Sequence, residues 1–233
     1  MLGVGRRASA STDPDFSSVS LLLLNENGSD GSTTFDDASS NNHTMTAVGN
    51  AQWDTAQAPT GLTSSGLFDG TGDEITTPDH ATLEFGSGAF TVECWVKFAV
   101  VGNAIFVAKD NAASQRGWFF YRETGALKFG YTANGSTVVV VLNNAWVPGT
   151  TAWYHLAATR SGNSWRYFVD GTQLGSTATD TGTIFDGTSV TRVGGGYVAG
   201  YTMNGWIAAV RVTKGVARYT GNFTPPSLPL PTS

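Results

Sequence analysis

The chain has 233 residues, 13% of them charged, with a net charge of −5, 29 Gly, 13 Phe, 7 Trp and 7 Tyr. Abundant aromatics and sparse charge exclude a disordered chain, and the acidic balance offers no long-range attraction to a phosphate backbone, so nucleic acid is not an expected partner. Cys94 is the sole cysteine, which excludes an intrachain disulfide and leaves packing to hold one all-β-sized domain.

The opening MLGVGRRASASTD lacks the apolar stretch of about 7–15 residues that marks a secretory signal, and the aliphatic runs Leu21 to Leu24 and Val138 to Leu142 are too short to span a bilayer. The expectation is a protein synthesised in a cytoplasm, with no membrane insertion. The four sequons at Asn27, Asn42, Asn134 and Asn222 then read as turn residues. Residues 1 to 17 are small and polar without apolar periodicity and read as an extended arm. Its sizeable or charged groups Leu2, Val4, Arg6 and Arg7 are candidates for contact with a neighbouring subunit.

Residues 18–224 alternate short apolar runs with turn signals and show no helical stripe, so helix is minimal. In Phe90-Thr-Val-Glu-Cys-Trp-Val-Lys-Phe98 the two-residue period puts Phe90, Val92, Cys94, Val96 and Phe98 on one face. Thr91, Glu93, Trp95 and Lys97 fall on the other. Residues 126–131 and 137–142 flank Asn134-Gly135, a hairpin signal, and residues 153–160 and 164–169 flank Ser161-Gly-Asn163. The last strong strand is Gly205 to Thr213. Strands joined by loops imply antiparallel pairing, and two apolar faces are buried by packing sheet on sheet. The tail 225–233 is Pro-rich and suits a strap across the sandwich surface.

Gly66-Leu-Phe-Asp-Gly-Thr-Gly-Asp73, Phe90 to Lys97, Trp153-Tyr-His-Leu-Ala157, Trp165-Arg-Tyr-Phe-Val-Asp-Gly171 and Gly205 to Val212 follow one another as in laminin-G-like, concanavalin A-like jelly rolls, which the chain resembles over about residues 19–224. The resemblance implies an antiparallel jelly-roll β-sandwich. The ending Thr213 to Pro226 resembles the version carried by bacteriophage virion and tail-fibre proteins. That implies a virion component, a decoration, fibre or adhesin domain, held by its arm to other virion subunits and present as a homo-oligomer or in many copies. A free-standing carbohydrate-binding lectin and a glycoside hydrolase are the rival readings within such a fold.

The residues do not supply chemistry. No strand carries acidic residues at alternate positions, as a pair of glycosidase carboxylates about 5–5.5 Å apart requires, so no catalytic residue is assigned. His155 reads as a packed structural histidine and Cys94 as an inert core thiol. Relatives often hold calcium, and Asp37 in Phe35-Asp-Asp-Ala-Ser-Ser-Asn-Asn-His43 stands where a ligand could be. The acidic pair of the last strand, however, corresponds to Ala208-Ala209 here, so neither a metal nor another cofactor is expected. Turn capping is the other reading of Asp37. Sugars need an aromatic surface and polar partners for hydroxyls. Tyr197, Tyr201 and Asn204 on a glycine-rich stretch, and Arg116 with Trp118, are the candidates for contacts to a host-surface or other glycan, with rim packing as the other reading.

Overall fold

A computed structural model describes residues 12–111, 114–196 and 200–233. The chain order of strands is β1 (Val19–Leu23), β2 (Thr46–Val48), β3 (Gln52–Asp54), β4 (Ser65–Asp69), β5 (Glu74–Thr77), β6 (Phe90–Phe98), β7 (Ala104–Lys109) and β8 (Trp118–Glu123). Then follow β9 (Ala126–Thr132), β10 (Val138–Ala145), β11 (Tyr154–Ser161), β12 (Ser164–Val169), β13 (Thr172–Gln173), β14 (Ala178–Thr179), β15 (Thr191–Val193) and β16 (Asn204–Lys214). Helix among the described residues is limited to 3-10 turns at Phe16–Ser18 and Ala81–Leu83.

The strands form two antiparallel sheets. One runs β13-β12-β11-β6-β16-β4-β3, with β1 also paired to β16 and β14 to β12. The other runs β10-β9-β8-β7-β15-β5-β2. Together they make the jelly-roll sandwich expected from the alternating sequence. The register of β6 is also as expected, because Phe90, Val92, Cys94, Val96 and Phe98 are all fully buried between the sheets. Phe90 stacks on Phe85 and Phe129 and meets Trp165 edge-on, so one aromatic layer spans both sheets.

The opposite face of β6 is covered as well. Thr91 and Glu93 are 0% and 1% exposed, although this face looks outward from the sandwich. Glu93 Oε1 accepts from Arg211 Nε at 2.7 Å, and Oε2 accepts from the Tyr219 hydroxyl at 2.8 Å and lies 3.0 Å from His155 Nε2. Arg211 reaches Asp13 at 3.1 Å, and Arg218 grips both oxygens of Asp13 at 2.9 and 2.8 Å. The Asp13 amide in turn donates to the Ser233 carbonyl.

The expected arm boundary at residue 17 is therefore corrected. Residues 13 to 17 dock on the body: Asp13 is buried, and Phe16 packs with Val19, Leu22, Ala209 and Leu230. The sequence hid this because one ion-paired carboxylate anchors the segment, and periodicity does not register it. Leu2, Val4, Arg6 and Arg7 lie outside the described residues. The Pro-rich tail does strap the same face, with Leu230 buried and its amide and carbonyl both bonded to the Asn25 side chain.

Two outcomes follow for this cluster. Asp13→Ala leaves Arg211 and Arg218 short of a buried partner and is expected to cost about 3–5 kcal/mol in urea unfolding. A loss under about 1 kcal/mol would show the pair to be solvated. Burial works to raise the Glu93 pKa, yet the Arg211 charge and the bonds from His155 and Arg211 overcome it and hold it at about 2, below its ordinary 4.5. The unfolded chain thus takes up the proton first as pH falls. The urea midpoint is expected to be level in this respect above about pH 5 and to drop steadily toward pH 2, and a midpoint flat across that span would contradict it.

Candidate functional site

On the outer face of the second sheet the two-residue period of β8 lays down a second, smaller apolar cluster, with Phe119 4% and Tyr121 8% exposed. Trp118 and Phe120 point inward and are fully buried, while Phe119 and Tyr121 point outward. Trp118 stacks on Phe85 and Phe129 and donates its Nε1–H to the Leu83 carbonyl at 3.1 Å. It is a core residue, so its assignment as a sugar contact is corrected. Its neighbour Phe119 holds the outward position.

Phe119 and Tyr121 pack with Ile105 and Ala108 of β7 and with Tyr201. Across the sheet Phe119 is paired with Gly130 of β9, which is paired with Val140 of β10. A Cβ at Gly130 would stand 3.2 Å from the Val139 carbonyl and 3.7 Å from the Phe119 ring. Its absence leaves a trough between Phe119 and the exposed Val138 and Val140. The result is a cleft of about 270 Å³.

Each end of the cleft carries charge. At one end the Arg116 guanidinium lies 4.9 Å from the Phe119 ring centre, and its Nε donates to Asp110 Oδ1 at 3.1 Å. Asp110 is fully buried, and its Oδ2 has no hydrogen-bond partner among the described residues. Burial pushes the Asp110 pKa up, with Arg116 and Arg192 acting against it. At the other end Glu123 accepts from Lys128 at 2.6 Å and from the Tyr201 hydroxyl. These bonds, Lys128 first, hold the Glu123 pKa down, and the bond to Glu123 pushes Tyr201 up to about 12.

Trp118 is paired with Lys109, which sets Asp110 level with residue 117. From residue 117 to Glu123, at ~3.3 Å per residue, is about 20 Å. Glycosidase carboxylates stand roughly 5–9.5 Å apart, so these two cannot act on one bond.

Arg116 and Tyr201, which the sequence offered as members of two separate clusters, line one cleft together with Phe119, Tyr121, Asp110 and Glu123. The available signal was Trp118-Phe-Phe-Tyr-Arg-Glu123, a strand with aromatics on both faces. Asn204 stands apart, where its side chain donates to the Asp69 carbonyl at 3.1 Å and its own carbonyl accepts from Ala99 and Val100. Tyr197 lies outside the described residues.

The residues weighed for calcium are occupied by the protein itself. Asp37 accepts from the amides of Leu22, Ser39 and His43 and from the Ser39 hydroxyl, which is the turn-capping arrangement. Among the described residues no group of three or more His, Cys, Asp or Glu could hold a metal ion. At the end of β7 the buried Lys109 ammonium supplies the cation for Asp79 and Glu84 instead.

A model of the concanavalin A-like lectin/glucanases superfamily matches residues 69–217. The chain belongs to that superfamily. Comparison with curated proteins gives no match. Among solved structures, the superfamily fold is shared with the binding domain of Paraclostridial Mosquitocidal Protein 1, at TM-score 0.65 and 12% identity over 86% of this chain and 50% of that one. It is shared with botulinum neurotoxin type C, whose cell entry is dependent upon interaction with two ganglioside molecules, at TM-score 0.61 and 14% identity over 86% and 49%. It is shared too with the binding domain of botulinum neurotoxin DC in complex with rat synaptotagmin II, at TM-score 0.62 and 15% identity over 87% and 49%. The chain spans about half the length of these structures.

Glu84 yields a test of the Lys109 cluster. Burial first, then its bond to Asp186 and the charges of Asp186 and Asp79, push its pKa to about 7 against the pull of Lys109. A carboxyl raised above its ordinary 4.5 keeps its proton longer in the folded state, so stability falls as pH rises from about 4.5 through 7. Glu84→Gln is expected to flatten that decline in the melting temperature, and an unchanged slope would refute the assignment.

Proposed function

We propose that the chain is a non-enzymatic, glycan-binding attachment domain of a bacteriophage virion protein. The observation that carries the binding half is the cleft on the outer face of the second sheet. Phe119, Tyr121 and Tyr201 give it an apolar floor, and Arg116 with Asp110 give it a polar end. Concave apolar sites with a few converging polar groups are where small ligands bind, and sugars offer C–H faces to aromatic rings and hydroxyls to polar groups. The named fold neighbours support this reading, since two are binding domains and the cell entry of the third depends upon interaction with gangliosides.

Absence of turnover is supported by the geometry of the carboxylates. Asp110 and Glu123 lie at opposite ends of the cleft, each paired to a cation. The virion half rests on the resemblance of Thr213 to Pro226 to the version carried by bacteriophage virion and tail-fibre proteins. In that setting the domain is multicopy, and contact with other virion subunits falls to the residues that precede Asp13, among them Leu2, Val4, Arg6 and Arg7.

The test pairs two measurements. In affinity electrophoresis through immobilised polysaccharides the protein is expected to be retarded on at least one gel without releasing reducing ends. Tyr201→Ala, with an unchanged melting temperature, is expected to weaken the retardation about tenfold, the equivalent of ~1.4 kcal/mol. Antibody against the chain is expected to label intact phage particles. Free migration on every gel would defeat the glycan reading, reducing ends would defeat the non-enzymatic one, and unlabelled particles the virion one.

A further inference from the structure

We infer that the cleft selects an uncharged glycan, and that Arg116 and Asp110 read two neighbouring hydroxyls on one sugar unit, excluding sialic and uronic acids. The inference rests on the glycan-binding reading and specifies its ligand class.

Two observations carry it. One is the unsatisfied acceptor at the polar end. Asp110 is fully buried and lines the cleft, its Oδ1 is bound by Arg116 Nε at 3.1 Å, and its Oδ2 has no partner among the described residues. A buried carboxylate oxygen left without a donor is costly, and a ligand hydroxyl that donates to it recovers that cost. Arg116 completes the pair. Among the described residues only its Nε is engaged by another side chain, so the terminal nitrogens of the guanidinium remain as donors. One acceptor and one donor held side by side by a single ion pair match two adjacent hydroxyls, one donating and one accepting.

The second observation is charge. The lining residues include two carboxylates, Asp110 and Glu123, against one guanidinium, Arg116. Lys128 pairs with Glu123, and Arg192, whose Nε donates to the Asp110 carbonyl, pairs with Glu74, so the charges at the cleft balance. An anionic sugar would need a cation whose charge is not already balanced, and among the described residues Arg116, the one lining cation, has its charge met by Asp110. Its carboxylate would also approach the Asp110 oxygen that has no counter-donor, and like charges in a partly desolvated site repel. The floor of Phe119 and Tyr121 agrees with this, since it favours C–H surface over a hydrated anion.

The test uses the whole chain on six gels: glucan, mannan and galactan, and polygalacturonate, polymannuronate and oligosialate. Retention on a neutral gel and on no acidic gel is the expected result. Asp110→Asn is expected to weaken that retention at least tenfold, and Arg116→Lys likewise, each with the melting temperature checked. Periodate treatment of the retained polymer to the point where its vicinal diols are cleaved is expected to abolish retention. Retention on an acidic gel would overturn the inference and leave the glycan reading standing, whereas free migration on all six would remove both. Full retention by a folded Asp110→Asn protein and a folded Arg116→Lys protein would also overturn it.

Discussion

Glu93 sits on a central strand with its side chain turned away from the aromatic core, and it is nonetheless 1% exposed. A carboxylate so placed stays ionised only if cations and donors surround it, because desolvation alone would force it neutral. Arg211, Tyr219 and His155 supply that shell, and Arg211 comes from the strand position paired directly with Glu93. The pairing depends on a bulge. Between Ala208 and Arg211 the register of β16 shifts, with Ala209 in the left-handed region at φ 47°, so that Val210 and Val212 face the core and Arg211 faces outward. Asp13, Arg218 and the Ser233 carbonyl are then drawn onto the same cluster, and both ends of the described chain are pinned over one sheet.

That coverage makes the two outer faces of the sandwich unlike each other. With the outer face of the β6 sheet occupied by the Asp13 segment, Tyr219, Phe223 and the Leu230 strap, the outer face of the β8 sheet is left to form the cleft. A strand with aromatics on both faces serves two purposes at once. Trp118 and Phe120 fasten β8 to the core, which fixes Phe119 and Tyr121 as a rigid floor. Gly130 keeps the neighbouring row low, and the edge strand β10 contributes a wall of valines, 36% to 42% exposed. Its own bulge between Val140 and Leu142 interrupts the regular edge.

Two acidic clusters are kept apart by opposite electrostatics. Glu93 lies where positive charge and donors dominate and its pKa falls, while Glu84 lies against Asp186 and Asp79 and its pKa rises. The first favours stability above about pH 5 and the second opposes it above about pH 4.5. The fold therefore tolerates mild acidity better than its abundance of buried carboxylates would suggest.

The sequence alone determined the class of fold and the inner face of β6, because a period of two with Phe90, Val92, Cys94, Val96 and Phe98 admits one buried face and turn signals mark most of the hairpins. It also singled out Arg116 and Tyr201 by residue type, since aromatic and guanidinium groups near glycines stand out, but not that they line one cleft. What it could not decide was the direction of each aromatic in Trp118-Phe-Phe-Tyr121, where both faces are apolar and periodicity carries no sign. Only pairing with β7 and β9 turned Trp118 into the core and Phe119 outward. The burial of Asp13 and of Glu93 was equally out of reach, because an ion pair across about 200 residues of chain leaves no local pattern, and a bulge that reverses one strand's alternation is settled by the strands packed beside it.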